Sequence, residues 1–66
     1  MKVFLNGKKI NVGNNLTAQQ LLSDMGYQDK RIALEINCEV IPASEYSNKI
    51  IVENDKIEII VAVGGG

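Results

Sequence analysis

Histidine is absent from the chain, and cysteine occurs once, at Cys38. Without a second thiol no disulfide can close within the chain, so nothing points to a secreted, cross-linked scaffold. Without histidine, a zinc site of cysteine and histidine ligands cannot be assembled. The most frequent general base of enzymes is missing too. Charge of one sign is not in excess: seven basic residues stand against eight acidic ones, a formal net charge of −1. A nucleic-acid binder needs a concentrated basic face, whereas the cations here are scattered from Lys2 to Lys56. No apolar run is long enough to cross a bilayer. The opening Met1-Lys2-Val3-Phe4 alternates instead of forming a signal peptide. These absences set the cytoplasm as the expected location. A phosphate-cradling Gly-x-x-x-x-Gly-Lys motif is missing as well.

What is present is globular. The chain has 66 residues, 45% of them hydrophobic and 23% charged, the composition of a folded domain. A chain of this size buries only about 60% of the surface its unfolded form exposes. That leaves little room for a deep active-site cleft. Val3, Leu5, Ile10 and Val12 alternate around Asn6-Gly7, the strongest short signal for a hairpin with a type I′ turn. Strands are expected at about 2–6 and 8–12, and Gly13-Asn14-Asn15 forms a loop. Thr17 then offers an N-cap with Gln20 at capping-box spacing, and Leu16 and Leu21 stand where a hydrophobic staple closes. Gly26 sits where a left-handed C-cap belongs. A helix over about 17–25 follows, with Leu21, Leu22 and Met25 on its apolar side.

Ile32, Leu34 and Ile36 alternate as a third strand, Asn37-Cys38-Glu39 reads as a turn, and Val40-Ile41 as a brief return strand. Pro42 ends it, because proline cannot donate to a ladder. Ser44 to Asn48 reads as a helical turn or loop around Tyr46. A last strand is expected from Lys56 to about Val63. This order predicts an α+β fold: a mixed sheet with one main helix across one face, and the first and last strands parallel at its centre. It is the ubiquitin-like β-grasp arrangement, with a domain over 1–63 and a flexible tail over 64–66.

That tail, Gly64-Gly65-Gly66, gains nothing from side-chain packing. It is either a frayed end or a segment able to thread a narrow channel and present its carboxylate to another protein. Alternation also places Val3, Leu5, Ile57, Ile59 and Val61 toward the helix. Phe4, Ile60 and Ala62 then point away, as an apolar partner-docking patch. Cys38 lies in a turn with no cationic neighbour to activate it and reads as structural or incidental. Glu35, Glu39 and Glu45 read as solvated surface charge, and the run from Gly7 to Lys9 as a hairpin turn, not a phosphate site.

Several segments together resemble the bacterial sulfur carrier family of thiamine biosynthesis, ThiS. They are Phe4-Leu5-Asn6-Gly7, Leu16-Thr17 with Leu21-Leu22, and Ala33-Leu34-Glu35-Ile36-Asn37 with Val40-Ile41-Pro42 and Ser44-Glu45-Tyr46. The end, Asp55-Lys56-Ile57-Glu58-Ile59-Ile60 with Ala62-Val63-Gly64-Gly65-Gly66, completes the set. Family members often carry tryptophan at the place of Tyr46 and Gly-Asp at Asn54-Asp55. The resemblance implies that Gly66 is adenylated by an E1-like enzyme of ThiF type using ATP. It further implies conversion to a thiocarboxylate, with sulfur coming indirectly from a cysteine desulfurase, and delivery to thiazole synthase of ThiG type. Gly64 and Gly65 then thread the partner's active site. The chain itself is implied to be a protein co-substrate and not an enzyme, with no catalytic residue, metal or bound cofactor. Three other readings share parts of this pattern: a sulfur carrier of the molybdopterin synthase small-subunit type, a ubiquitin-like protein modifier, and an interaction module whose tail is irrelevant.

Overall fold

A computed structural model describes residues 1–62; the expected tail Gly64–Gly66, and Val63 before it, lie outside the described residues. Strand β1 (Lys2–Leu5) pairs antiparallel with β2 (Lys8–Asn11) through the Asn6-Gly7 turn. Asn6 has φ 50° and Gly7 φ 83°, the pair of positive angles a type I′ turn requires. Helix α1 (Ala18–Asp24) follows. Then come β3 (Ile32–Ile36), β4 (Glu39–Ile41), a 3₁₀ turn over Ala43–Glu45, and β5 (Lys56–Val61). The sheet order is β2-β1-β5-β3-β4. β1 and β5 are parallel at its centre, with Phe4 opposite Lys56 and Leu5 opposite Ile57. This is the ubiquitin-like β-grasp expected above.

The helix ends are local chemistry. Gln20 N–H donates to Thr17 Oγ1 at 3.2 Å, and Thr17 N–H donates to Gln20 Oε1 at 3.0 Å. Such a cap stabilises a helix by about 1 kcal/mol. At the other end Gly26 has φ 86°. Tyr27 N–H donates to the Leu22 carbonyl at 2.8 Å and Gly26 N–H to the Ser23 carbonyl at 3.1 Å, a Schellman closure. The remaining free amides of the first turn are met from a distance. Ala18 N–H reaches the Lys49 carbonyl at 2.7 Å and Gln19 N–H the Tyr46 carbonyl at 2.9 Å. The segment after the 3₁₀ turn is thereby docked on the start of α1, and Thr17 forms an isolated antiparallel bridge with Ile50.

The core lies between α1 and one sheet face: Val3, Ala18, Leu21, Leu22, Leu34, Ile36, Ile41, Ile51, Ile57 and Ile59. Burying a Leu or Ile side chain is worth about 1.5–3 kcal/mol. Asp55 is the buried polar residue, 4% exposed. It is satisfied by the Asn37 side-chain amide at 2.9 Å and the Val52 N–H at 2.9 Å. Asn37 Oδ1 in turn accepts the Lys56 N–H at 3.0 Å. This bridge ties the β3–β4 turn to the start of β5.

Two details differ from the sequence expectation. Glu39 belongs to β4 and not to the turn, which is the two-residue Asn37-Cys38, with Ile36 opposite Glu39. Both turn residues have positive φ, 53° and 70°, as a tight hairpin demands. Val61, expected against the helix, is 43% exposed. A seven-residue helix spans about 10 Å, half the length of the six-residue β5 at about 20 Å. The core therefore ends before the strand does.

Candidate functional site

The candidate site is the end of β5, the last described stretch before Gly66. β3 holds that end on one side. Ile60 lies opposite Ala33 and Val61 opposite Ile32, and Ala62 N–H donates to the Arg31 carbonyl at 2.9 Å. On the other side β1 turns away at Asn6, whose N–H donates to the Ile57 carbonyl at 2.8 Å. The Asn6 side chain then continues where the backbone stops. Its Oδ1 accepts the Ile59 N–H at 2.8 Å and its Nδ2 donates to the Ile59 carbonyl at 3.3 Å. Asn-Gly in sequence signals a turn; nothing in it signals that the amide also bonds a strand 53 residues away.

Apolar side chains are exposed at this end, beside Arg31. Ile60 is 62% exposed, and Ala33 and Ala62 are exposed beside it. Phe4 shares the outer sheet face but is half-buried. The β1–β5 register sets it at Lys56, four strand positions or about 13 Å from Ile60. Ile60 and Ala62 thus stand together at the exit, and Phe4 stands at the other end of β5. Phe4 instead borders a concavity of 290 Å³ that also touches Glu35, Cys38, Lys56 and Glu58. Glu35 and Glu58 are directly opposite one another across β3 and β5.

Cys38 is exposed and far from the exit. Its neighbour Asn37 donates its N–H to the Lys56 carbonyl, and six strand positions, about 20 Å, separate Lys56 from Ala62. A larger surface groove of 540 Å³ lies along α1 between Tyr27, Tyr46, Leu22 and Ile32, with Lys30 Nζ 5.9 Å from the Tyr27 ring centre. Among the described residues no three His, Cys, Asp or Glu side chains gather as a metal site, and no helix is long and apolar enough to cross a membrane. The expected tail residues Gly64, Gly65 and Gly66 lie outside the described residues.

The fold has close counterparts. A thiamine biosynthesis protein (ThiS) from Geobacter metallireducens superposes with a TM-score of 0.85 at 28% identity, covering 100% of both chains. The protein ycf40 of Porphyra purpurea is 36% identical over 66 residues, covering 100% of this chain and 93% of its own length. A thiazole synthase of Paramagnetospirillum magneticum is 35% identical over the whole of this chain, which spans only 20% of that protein. The sequence model of the ThiS family matches residues 3–66, from the first strand through the last glycine. On that match and the shared fold, the chain belongs to the ThiS family.

Proposed function

We propose that the chain is a sulfur carrier in thiamine biosynthesis, acting as a co-substrate of partner enzymes. The Gly66 carboxylate attacks the α-phosphorus of ATP on an E1-like enzyme of ThiF type and releases pyrophosphate. Adenylation is needed because a carboxylate is a poor electrophile, and AMP is a leaving group. A persulfide charged by a cysteine desulfurase attacks the acyl carbon with its outer sulfur and displaces AMP. A second thiol then cleaves the resulting acyl disulfide, forms a disulfide with the inner sulfur and leaves a thiocarboxylate on Gly66. The thiocarboxylate sulfur then adds to a carbonyl carbon of the substrate held by thiazole synthase, the C=O π electrons passing to oxygen. Cleavage of the acyl–sulfur bond by water leaves the sulfur on the substrate and restores the Gly66 carboxylate. Gly64 and Gly65, having no side chains, let the tail thread a narrow passage in each partner.

The observation that carries this reading is family membership through the last glycine. The choice of acceptor is supported by the Paramagnetospirillum thiazole synthase, in which a stretch like this whole chain is part of a polypeptide about five times as long. Carrier and synthase joined in one chain meet at high effective concentration. The exposed Ile60 and Ala62 beside the exit provide an apolar contact for the activating enzyme, and Phe4, at the other end of β5, is not part of it.

The test is chemical. The chain is incubated with its activating enzyme, ATP, a cysteine desulfurase and cysteine, and the C-terminal fragment is then weighed. Exchange of one oxygen for one sulfur at Gly66 is the expected result; an unchanged carboxylate beside an active partner set refutes the reading. The docking surface is tested separately with Ile60→Glu. An exposed site tolerates the charge, so the fold is retained and affinity for the activating enzyme falls at least tenfold, on the order of 1.4 kcal/mol. Unchanged affinity removes Ile60 from the contact.

A further inference from the structure

The Asn6 side chain does more than its place in a turn requires. A side-chain amide carries the same donor and acceptor pair as a peptide unit. Here it occupies the ladder position that β1 vacates, bonding both the N–H and the carbonyl of Ile59 at 2.8 and 3.3 Å. β5 is therefore held from both sides through Ile59, and from the β3 side through Ala62. We infer that Asn6 is a positioning residue for the end of β5: it completes the two-sided hold on the strand at Ile59, so that the last described residues before Gly66 start from a fixed place.

The argument turns on reach. From Ala62 four residues lead to Gly66, a span of at most about 14 Å. A tether that short delivers its carboxylate only if its origin is held. Were β5 to detach from Ile59 onward, eight residues would lead to Gly66, and the span would grow to about 29 Å. Ordering the added residues on entry into a partner's channel costs conformational entropy. Chemistry on the seated tail belongs to the partner and does not change. Loss of the Asn6 bonds therefore appears in KM for the carrier and not in kcat. This consequence rests on the sulfur-carrier reading; the clamp itself does not.

Asn6→Gly is the direct test, because glycine keeps the positive φ of the turn and removes only the amide. Asn6→Asp is the conservative companion, retaining the acceptor for the Ile59 N–H. Thr17→Ala serves as a control that weakens the domain at the helix cap without touching β5. Two readouts are taken on each: amide hydrogen exchange of the chain alone, and KM and kcat for pyrophosphate exchange with the activating enzyme. In Asn6→Gly the Ile59 amide exchanges about tenfold faster, the equivalent of about one net hydrogen bond. KM rises by a similar factor with kcat held, and Asn6→Asp recovers part of both. Thr17→Ala speeds exchange across the domain and leaves KM alone. Wild-type KM in Asn6→Gly overturns the inference, whether or not Ile59 loses protection, and so does an equal rise in KM for Thr17→Ala. If the wild-type chain is not adenylated at all, the function proposed above fails, and the Ile59 exchange rate decides alone whether Asn6 holds the strand.

Discussion

Replacing Cys38 by glycine should raise the stability of the domain. Cys38 is the second residue of a two-residue hairpin turn and holds φ 70°. A residue with a Cβ in that region carries a penalty of about 1–2 kcal/mol. Glycine removes the penalty but gives the unfolded chain more freedom, which costs about 0.4–1 kcal/mol. The difference is a net gain of about 0.5–1 kcal/mol. For a domain of this size 1 kcal/mol moves the midpoint by about 4–8 °C, so Tm should rise by about 3–6 °C. The first hairpin supplies an internal precedent, since Asn6-Gly7 fills the same two turn positions with φ 50° and 83°. The assay is a thermal melt by circular dichroism in reducing buffer, with Cys38→Ala alongside. Alanine removes the sulfur and keeps the strain at an exposed site, so its change should stay within about 0.5 kcal/mol. Equal melting points for the two variants, or a lower one for glycine, would refute the strain argument. Under the proposed function, sulfur loading of Gly66 should be unaffected by either change, because Cys38 lies at the far end of β5 from Ala62.

Three further outcomes follow from other contacts. Asp55→Ala leaves the part-buried Val52 N–H and Asn37 amide without their acceptor, and urea titration should show a loss of about 1–3 kcal/mol. Glu58→Lys turns a like-charged pair opposite Glu35 into an attractive one; a gain of about 0.2–1 kcal/mol is expected, shrinking in 1 M salt. Asn-Gly sequences lose ammonia when the glycine nitrogen attacks the asparagine side-chain carbonyl, but Ile59 holds that carbonyl oxygen in place. Mass spectrometry should find deamidation at Asn6 slow in the native chain and fast in urea, and equal rates would count against the clamp.

What could be read from the sequence was what short-range chemistry decides. Thr17, Gln20 and Gly26 act within one helical turn of their partners, so the ends of α1 were legible residue by residue. The central parallel pair of strands followed from element order, since few sheets accommodate a hairpin, a helix and three more strands. Side-chain bonds between distant segments were not legible. Asn6 reaches Ile59 and Asn37 reaches Asp55, and any asparagine in a turn would look the same in the sequence. The docking of residues 46–51 onto the start of α1 likewise has no periodic signature. Alternation correctly assigned Phe4 and Ile60 to one face of the sheet. It carries no information on position along the strands, which the register supplies.

The parallel pairing of β1 with β5 has a mechanical consequence. Met1 lies at one end of the central pair and Ala62 at the other. Tension applied between the two ends therefore runs along the strands and loads the cross-strand bonds from Phe4 to Asp55 and from Asn6 to Ile57 and Ile59 in shear. All must yield together, instead of opening one at a time as in a peeled hairpin. Under the function proposed above, a partner that draws the last residues into a channel would pull on this shear-loaded pair, so the domain could be gripped by its end and let go again still folded.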